Sequence, residues 1–589
     1  MRTQCKRIVL LLMITVLLLT GSAKAQTLYR VKIERGVSVK MRDGVSLVAD
    51  VYRPVSEEKF PVVLERTPYD RNGAAGTANE LASHGYIVVL QDTRGRYASG
   101  GEFYPFRDES FDGYDTVEWA ARLGGSNGKV GMFGGSYVGA TQMLAAMAAP
   151  PHLTSIFPYV TASEYYDGWT YQSGALMQWF TSSWTSGLAT DTLRRQAEKM
   201  QTPKDWTKQL PLETYPILKT PDLSTLAPYF KDWLAHERDD AYWHKWKVSD
   251  HYSEMSVLGL HGAGWHDLFL KGSIKNYVGL HEHAATPDAR AGQRLIIGPW
   301  AHAPTSAEGK VGDVVFGKSA VLDTTATALQ WFDYSLKGVK NEYATAAPVR
   351  LFIMGDNVWR DEQEFPLKRT RYTKYYLHSV KGANSLNGDG ILSLTPPGEE
   401  RKDEFDYDPK NPVPTIGGRL CCGQALPPGP ADQRPNESRA DVLVFSTPAL
   451  SEDTEVTGYI SLELYASTSA VDTDFTALLV DVDASGYARF LTDGIVRARY
   501  RDEGSEVVPG KVYKYTIDLW ATANVFKAGH RIRLYVSSSN FPRFNLNLNT
   551  GEGIVGASRS VPAHQTIYHD RQYGSALILP VIPKRAGGN

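Results

Sequence analysis

One strand–turn–helix segment constrains this sequence more than any other. Residues 130–139 read VGMFGGSYVG, and the helix-forming run ATQMLAAMAA follows them. A serine at such a turn, Ser136 here, adopts a strained backbone conformation that only small flanking residues accommodate. Its hydroxyl then stands above the sheet edge, beside the amino end of the next helix, where backbone dipoles favour a developing negative charge. The segment therefore predicts a nucleophile elbow, although its Gly-x-Ser-x-x-Gly spacing is one residue longer than the usual motif.

The segments around this elbow predict a mostly parallel sheet. Apolar runs typical of buried strands occupy residues 60–65, 86–91, 155–160, 257–261 and 294–298, and a hairpin signal at Asp43-Gly44 precedes them. Helical segments are interspersed among these runs, and such alternation favours a sheet covered by helices on both faces. Between residues 161 and 255 the alternation stops. The many aromatic residues there predict an inserted helical cap over the carboxyl edge of the sheet, with a minority of them facing a ligand.

The pattern changes again from residue 346. Short alternating runs, separated by Gly, Pro and Asp turns, predict an all-β domain of sandwich or jelly-roll type. The predicted organisation is thus a leader at 1–25, a catalytic α/β domain formed by 26–160 and 256–345, a helical cap at 161–255, and a jelly-roll-like domain at 346–589.

The first residues have the features of a secretory signal peptide. Arg2, Lys6 and Arg7 precede an apolar core at residues 8–19, and Ala23-Lys24-Ala25 follows. This pattern predicts cleavage after Ala25 and a secreted or periplasmic protein. The apolar core is too short to span a bilayer, so we expect no membrane anchor after cleavage.

Composition excludes several classes of function. Charged residues make up 22% of the chain, the formal net charge is −2, and no basic stripe is present, which argues against a nucleic-acid partner. Cys421 and Cys422 are the only cysteines beyond the leader, so a disulfide scaffold and a cysteine-rich zinc site are excluded. A vicinal disulfide between them stays open, but we favour two loop residues without a redox role.

A nucleophilic serine needs a base, and the base needs an orienting carboxylate. Of the 14 histidines, His302 stands in a turn directly after the strand predicted at 294–298. Asp267 follows the strand predicted at 257–261 in the same way. Because the carboxyl ends of parallel strands share one edge of a sheet, Ser136, Asp267 and His302 are predicted to meet as a catalytic triad.

An oxyanion hole needs two hydrogen-bond donors. The backbone N–H of Tyr137, the residue after the nucleophile, is the first candidate. The loop after the early strand at 60–65 has no glycine-rich stretch, but it contains Tyr69 after Pro68, whose phenol is the second candidate. His281 and His283 resemble a metal pair but lack a further ligand at suitable spacing, so neither a metal nor another cofactor is predicted.

These motifs together resemble a known family. Arg66-Thr67-Pro68-Tyr69, Gly134-Gly135-Ser136-Tyr137-Val138-Gly139, Gly264-Trp265-His266-Asp267 and Gly298-Pro299-Trp300-Ala301-His302 are similar to the cocaine esterase/X-prolyl dipeptidyl-peptidase family of serine hydrolases. Glutaryl-cephalosporanic acid acylases and α-amino acid ester hydrolases are also members. The resemblance spans nearly the whole chain beyond the leader. It implies an α/β-hydrolase domain, a helical cap and a C-terminal jelly-roll domain, with Ser136, Asp267 and His302 as triad and Tyr69 and the Tyr137 amide as oxyanion donors.

Departures from the family pattern bear on the substrate. Leu268, Phe269 and Leu270 follow the triad aspartate, where α-amino acid ester hydrolases carry carboxylates that pair with an ammonium group. Apolar residues there favour a neutral or aromatic acyl group, although Glu164 or Asp167 could still supply a carboxylate from the cap.

The sequence therefore predicts a serine hydrolase that cleaves a small-molecule ester or amide through an acyl-enzyme. An X-Pro dipeptidyl aminopeptidase or an acylase of the same family remains an alternative. From another class, the alternative is a catalytically inert binding protein that uses the jelly-roll domain. Whether the chain forms a homo-oligomer is left open.

Overall fold

The computed structural model describes residues 28–200, 225–302, 305–501 and 506–584, with the backbone alone for 197–200. The predicted signal peptide at 1–25 lies outside the described residues. Within these ranges the chain forms an α/β domain with an inserted cap, followed by a β domain. No helix in the described ranges is long and apolar enough to cross a bilayer.

The α/β domain is built on one large sheet. Within the described ranges its strands are β1 (Val31–Lys40), β2 (Ser46–Pro54), β3 (Phe60–Thr67), β4 (Ile87–Asp92), β5 (Ser126–Gly135), β6 (Leu153–Tyr159), β7 (Leu258–His266), β8 (Gln293–Ala301), β9 (Val349–Ile353) and β10 (Val358–Glu362). They are ordered β1-β2-β4-β3-β5-β6-β7-β8-β9-β10. The run from β4 to β9 is parallel, whereas β1, β2 and β10 are antiparallel to their neighbours. The prediction of a mostly parallel α/β-hydrolase sheet is confirmed.

Helices cover this sheet and build the cap. In chain order they are α1 (Ala75–Ser83), α2 (Glu109–Ala121), α3 (Tyr137–Met147), α4 (Gln178–Met200), α5 (Pro228–Ala235), α6 (Ala241–His244), α7 (Leu270–His283), α8 (Pro287–Ala291) and α9 (Thr324–Ser335). Helix α3 is buried along almost its whole length. The helix is buried because it starts at the elbow and packs between the sheet and α2.

One strand of the segment predicted as the β domain belongs to the first sheet. The strand at Val349–Ile353 falls in the segment assigned to the β domain, but it pairs in parallel with β8 in the first sheet, and β10 then pairs with it. Leu351, Phe352 and Ile353 are fully buried against both units. A short apolar strand shows its preferred conformation in the sequence but not its pairing partner, so the pattern alone could not assign it.

The cap consists of α4, α5, α6 and a small hairpin, Tyr171–Gln172 with Ala175–Leu176. Most of its aromatic side chains pack against one another. Trp233 is fully buried and lies 6.1 Å from Trp184 in a stacked arrangement. These aromatics therefore form the core of the cap, and Trp184 also reaches the site described below.

The β domain has its own sheet, separate from the first. Within the described ranges its strands are β11 (Arg371–His378), β12 (Ile391–Ser393), β13 (Asp403–Tyr407), β14 (Leu443–Ser446), β15 (Thr454–Thr468), β16 (Asp474–Val482), β17 (Ala488–Arg497), β18 (Tyr513–Phe526), β19 (Arg531–Ser537), β20 (Ala563–Tyr568) and β21 (Ala576–Val581). They follow the order β13-β20-β15-β21-β11-β12-β14-β19-β16-β17, with β18 paired to β15. An all-β C-terminal domain is thereby confirmed.

The β domain holds the cap in place. The Leu176 backbone N–H donates to Asn545 Oδ1 at 2.8 Å, and the Trp179 N–H donates to the Pro542 carbonyl at 3.0 Å. Cys421 and Cys422 form a vicinal disulfide, the alternative that the sequence analysis left open. The carbonyl of Cys421 accepts a hydrogen bond from Ser183 of α4. The β domain therefore fixes the position of α4, the helix that covers the sheet edge.

Candidate active site

The turn between β5 and α3 has the strained geometry that the sequence predicts. Ser136 has φ 60° and ψ −128°, in the region that L-residues seldom adopt. Gly134 has φ 131°, and a Cβ there would lie 2.2 Å from the Val138 side chain. A Cβ on Gly139 would lie 2.8 Å from Thr161. Glycine is therefore required on both sides of the serine, because Val138 of α3 and Thr161, just after β6, lie this close to the turn.

Three side chains from three strand ends meet beside this turn. His302 Nε2 lies 2.9 Å from Ser136 Oγ, and His302 Nδ1 lies 2.6 Å from Asp267 Oδ2. Asp267 is fully buried, and its other oxygen accepts the Phe269 backbone N–H at 2.6 Å. The carboxylate is thus held in one orientation, in which it accepts the Nδ1 proton and leaves Nε2 free to accept from the serine.

An apolar ring packs against the Asp267–His302 pair. The ring of Phe269 meets the His302 ring edge-on, with centroids 5.2 Å apart. Arg419 of the β domain is fully buried, and its pKa is lowered by burial to about 10, with the charge of Asp267 among the influences that oppose this. Within the β domain the Arg419 guanidinium pairs with Asp493 at 3.6 Å.

Tyr69 reaches the serine from the loop after β3. Its oxygen accepts the Trp184 indole N–H at 2.8 Å, which leaves the phenolic proton available. Burial raises the pKa of Tyr69, and hydrogen bonds with Trp184, Ser136 and the Tyr137 backbone N–H lower it by less, so the phenol is protonated at neutral pH. The two predicted oxyanion donors, Tyr69 and the Tyr137 amide, thus lie together beside Ser136.

The side chain of Tyr137 is anchored on the opposite side of the turn. Its hydroxyl donates to Glu109 Oε1 at 3.0 Å and accepts the Phe106 N–H at 2.9 Å. Arg66 in turn donates to Glu109 Oε2 at 2.7 Å. This buried chain of hydrogen bonds fixes the start of α3, and with it the direction of the Tyr137 amide. Sequence reasoning missed Glu109 and Trp184, because neither belongs to a local motif.

A cavity of about 540 Å³ opens at the serine. The residues that line it come from the ends of β3, β5, β6 and β8, the loops that follow them, and the starts of α3 and α9: Glu65, Tyr69, Gly134, Gly135, Ser136, Val138, Tyr159, Val160, Trp300, Ala301, His302, Thr305, Val321, Leu322 and Thr324. Its volume suits a small organic molecule. The cavity, the triad and the candidate oxyanion donors occupy one edge of the sheet.

The two cap carboxylates that could have supplied an anionic pocket do not line this cavity. Glu164 pairs with Lys275 at 2.6 Å, and Asp167 pairs with Lys271 at 2.7 Å. Both charges are therefore neutralised within the protein. Across the described residues, no group of three or more His, Cys, Asp or Glu side chains is arranged to hold a metal ion.

Comparison with known proteins agrees with this geometry. The family of X-Pro dipeptidyl-peptidase (S15 family) matches residues 43–304, and the X-Pro dipeptidyl-peptidase C-terminal non-catalytic domain matches residues 341–578. A cocaine esterase of Rhodococcus sp. (strain MB1 Bresler) is 37% identical over 580 residues, which cover 94% of this chain and 99% of that one. The chain belongs to the cocaine esterase/X-Pro dipeptidyl-peptidase (S15) family. It is accordingly a hydrolase of the serine esterase and peptidase class.

Solved structures of similar proteins extend over the same length. An α-amino acid ester hydrolase aligns with a TM-score of 0.75 at 25% identity, covering 96% of this chain and 99% of that one. An aminopeptidase from the marine sediment archaeon Thaumarchaeota archaeon aligns with a TM-score of 0.78 at 24% identity, covering 95% and 97%. The second likeness concerns the fold alone. Proteins named for different activities thus share the architecture seen here, so the substrate must be argued from the cavity.

Proposed function

We propose that this protein is an exported serine hydrolase that cleaves an ester bond of a small substrate through a Ser136 acyl-enzyme. The observation that carries the proposal is the continuous hydrogen-bonded chain from Asp267 through His302 to the Ser136 hydroxyl. This arrangement is the one that activates a serine hydroxyl at neutral pH.

The proposed reaction follows from these contacts. His302 Nε2 takes the Ser136 proton as Oγ attacks the substrate carbonyl, and the tetrahedral oxyanion accepts hydrogen bonds from the Tyr69 phenol and the Tyr137 amide. The imidazolium then gives its proton to the leaving oxygen, and the acyl group remains on Ser136. Water, deprotonated by His302, releases the acid and restores the enzyme.

Replacing Tyr69 by phenylalanine tests the phenol's part in the oxyanion hole. We expect kcat to fall about 10²–10³-fold, because one preorganised donor to the oxyanion is lost, while KM changes little. Steady-state kinetics with a p-nitrophenyl ester measure both constants. Tyr242→Phe is the matched control, since its hydroxyl is hydrogen-bonded to Tyr104 within the cap, away from the cavity. An unchanged kcat in Tyr69→Phe removes the phenol from the mechanism.

A substrate panel separates the proposed esterase from its alternatives. We expect faster turnover of p-nitrophenyl esters than of Gly-Pro-anilide. The ammonium group of a peptide needs a carboxylate partner, and the cap carboxylates of Glu164 and Asp167 are already paired with lysines. The reverse preference would identify an X-Pro dipeptidyl aminopeptidase, which the family match alone also allows. Failure of Ser136 to react with an organophosphonate would favour an inert binding protein.

Export is proposed on the basic and apolar pattern of the first 25 residues. The Cys421–Cys422 disulfide supports it, since disulfides persist in oxidising compartments. Sequencing the amino terminus of the protein purified from a secreting host should give Gln26 as the first residue. Recovery of an uncleaved chain inside the cell would contradict the proposal.

A further inference from the structure

Glu65 is a carboxylate in the cavity wall that the proposed reaction does not use. Side chains alternate along β3: Arg66 points towards α2 and binds Glu109, whereas Glu65 lines the cavity that contains Ser136 and His302. Tyr159 lines the same cavity, and burial, with a smaller contribution from the charge of Glu65, raises the pKa of Tyr159 to about 12. The strand therefore presents an acid to whatever occupies the cavity.

This acid has no internal counter-charge. Among the described residues its carboxyl group has no hydrogen-bond or ion-pair partner, and burial alone raises the pKa of Glu65 to about 8. Glu109 on the other face of β3 is held by Arg66, and the cap's Glu164 by Lys275. Glu65 is half-buried, and a desolvated carboxyl of raised pKa stays mainly neutral at pH 7 unless a ligand brings a positive charge that stabilises its ionised form.

The position of His302 indicates which part of the substrate meets this acid. In the proposed reaction His302 protonates the leaving oxygen, so the leaving group must lie on the His302 side of Ser136. His302, its neighbours Trp300 and Ala301, and Glu65 all line the same cavity. Trp184 of the cap and Phe269, just before α7, border the triad outside this set.

We infer that Glu65 selects esters whose alcohol portion carries a positively charged amine. This inference rests on the proposed function and names the substrate class of the same site. The cation would occupy the cavity between Glu65 and Tyr159, where the carboxylate supplies charge and the phenol ring supplies a face for a cation–π contact. The carboxylate binds the cation, and it takes no part in the proton transfers at Ser136.

Two esters of equal shape test the inference. Benzoylcholine carries a permanent charge on its alcohol, and neohexyl benzoate has carbon in place of the quaternary nitrogen. At about pH 9, where an acid of raised pKa is ionised, we expect the wild-type protein to have the higher kcat/KM for benzoylcholine. Glu65→Gln should lower the ratio of the two kcat/KM values roughly 10- to 100-fold while still hydrolysing the neutral ester. Glu164→Gln, whose carboxylate is already paired, should leave the ratio unchanged.

Each outcome has one meaning. A wild-type ratio near one, or an unchanged ratio in Glu65→Gln, overturns the inference while the hydrolase assignment stands. Hydrolysis of neither ester by the wild-type protein, together with no reaction of Ser136 with an organophosphonate, overturns the proposed function instead. A p-nitrophenyl ester pair with trimethylammonium or tert-butyl at the end of the acyl chain completes the test. A Glu65-dependent preference confined to that pair would place the cation in the acyl group and overturn the inference as stated.

Discussion

Replacing Ser136 by alanine should lower kcat about 10⁶-fold, the largest effect expected of any single substitution here. The Ser136 Oγ that His302 contacts at 2.9 Å is the protein oxygen that forms the covalent bond to the substrate in the proposed mechanism. Without it the oxyanion donors and the cavity can still bind an ester, so KM should change far less than kcat. Turnover of a p-nitrophenyl ester and intact-mass measurement after an organophosphonate probe report the two consequences.

The wild-type protein should gain the mass of one phosphonyl group and the Ser136→Ala variant none. Ser186→Ala provides the matched control, because Ser186 is exposed on α4 and its hydroxyl donates only to the Ser182 carbonyl. It should be labelled and active like the wild-type protein. Labelling of Ser136→Ala to the same extent would mean that another residue is the nucleophile, and the proposed mechanism would be abandoned.

Asp267→Asn should lower kcat about 10⁴-fold, the second-largest effect. The buried carboxylate now accepts the Nδ1 proton of His302 at 2.6 Å, and an asparagine amide can instead donate to Nδ1. The imidazole proton would then sit on Nε2, which faces Ser136 and could no longer accept the serine proton. The side chains would keep their positions, but the imidazole proton would be on the nitrogen that must accept from the serine.

A loss of folding must be separated from this loss of catalysis. Asp403→Asn is a matched control, since Asp403 is also a buried carboxylate hydrogen-bonded to a histidine, His569, but lies in the β domain. It should lower Tm without lowering kcat per folded molecule. For Asp267→Asn the reverse is expected, with kcat falling far more than thermal unfolding can explain. A kcat within tenfold of the wild-type value would show that Asp267 does not orient His302.

The α/β core and the triad were predictable because their signals are local. The elbow around Ser136 combines a strand, a turn and a helix within one short segment, and the backbone strain at its centre follows from that geometry. Asp267 and His302 each follow a recognisable buried strand by a few residues. The carboxyl ends of parallel strands lie at the same edge of a sheet, so three residues that are distant in the sequence could be assigned to that edge.

The strand at Val349–Ile353 marks where such reasoning ended. Its alternation resembles that of the β domain that follows it, and only pairing with β8 assigns it to the first sheet. Pairing depends on which edges are free once the sheet is assembled, and the sequence of a single strand does not contain that information.

The sequence by itself determined the fold class, the elbow and the three triad positions, because these depend on short-range sterics and on the order of strands. Only the tertiary structure decided what surrounds them. Trp184 meets Tyr69 across a sequence separation of 115, and Glu65 enters the cavity because Arg66 occupies the opposite face of its strand. Such contacts form only when the cap and the strands of the sheet have packed together. Burial, which shifts the pKa values of these groups, likewise exists only in the folded chain.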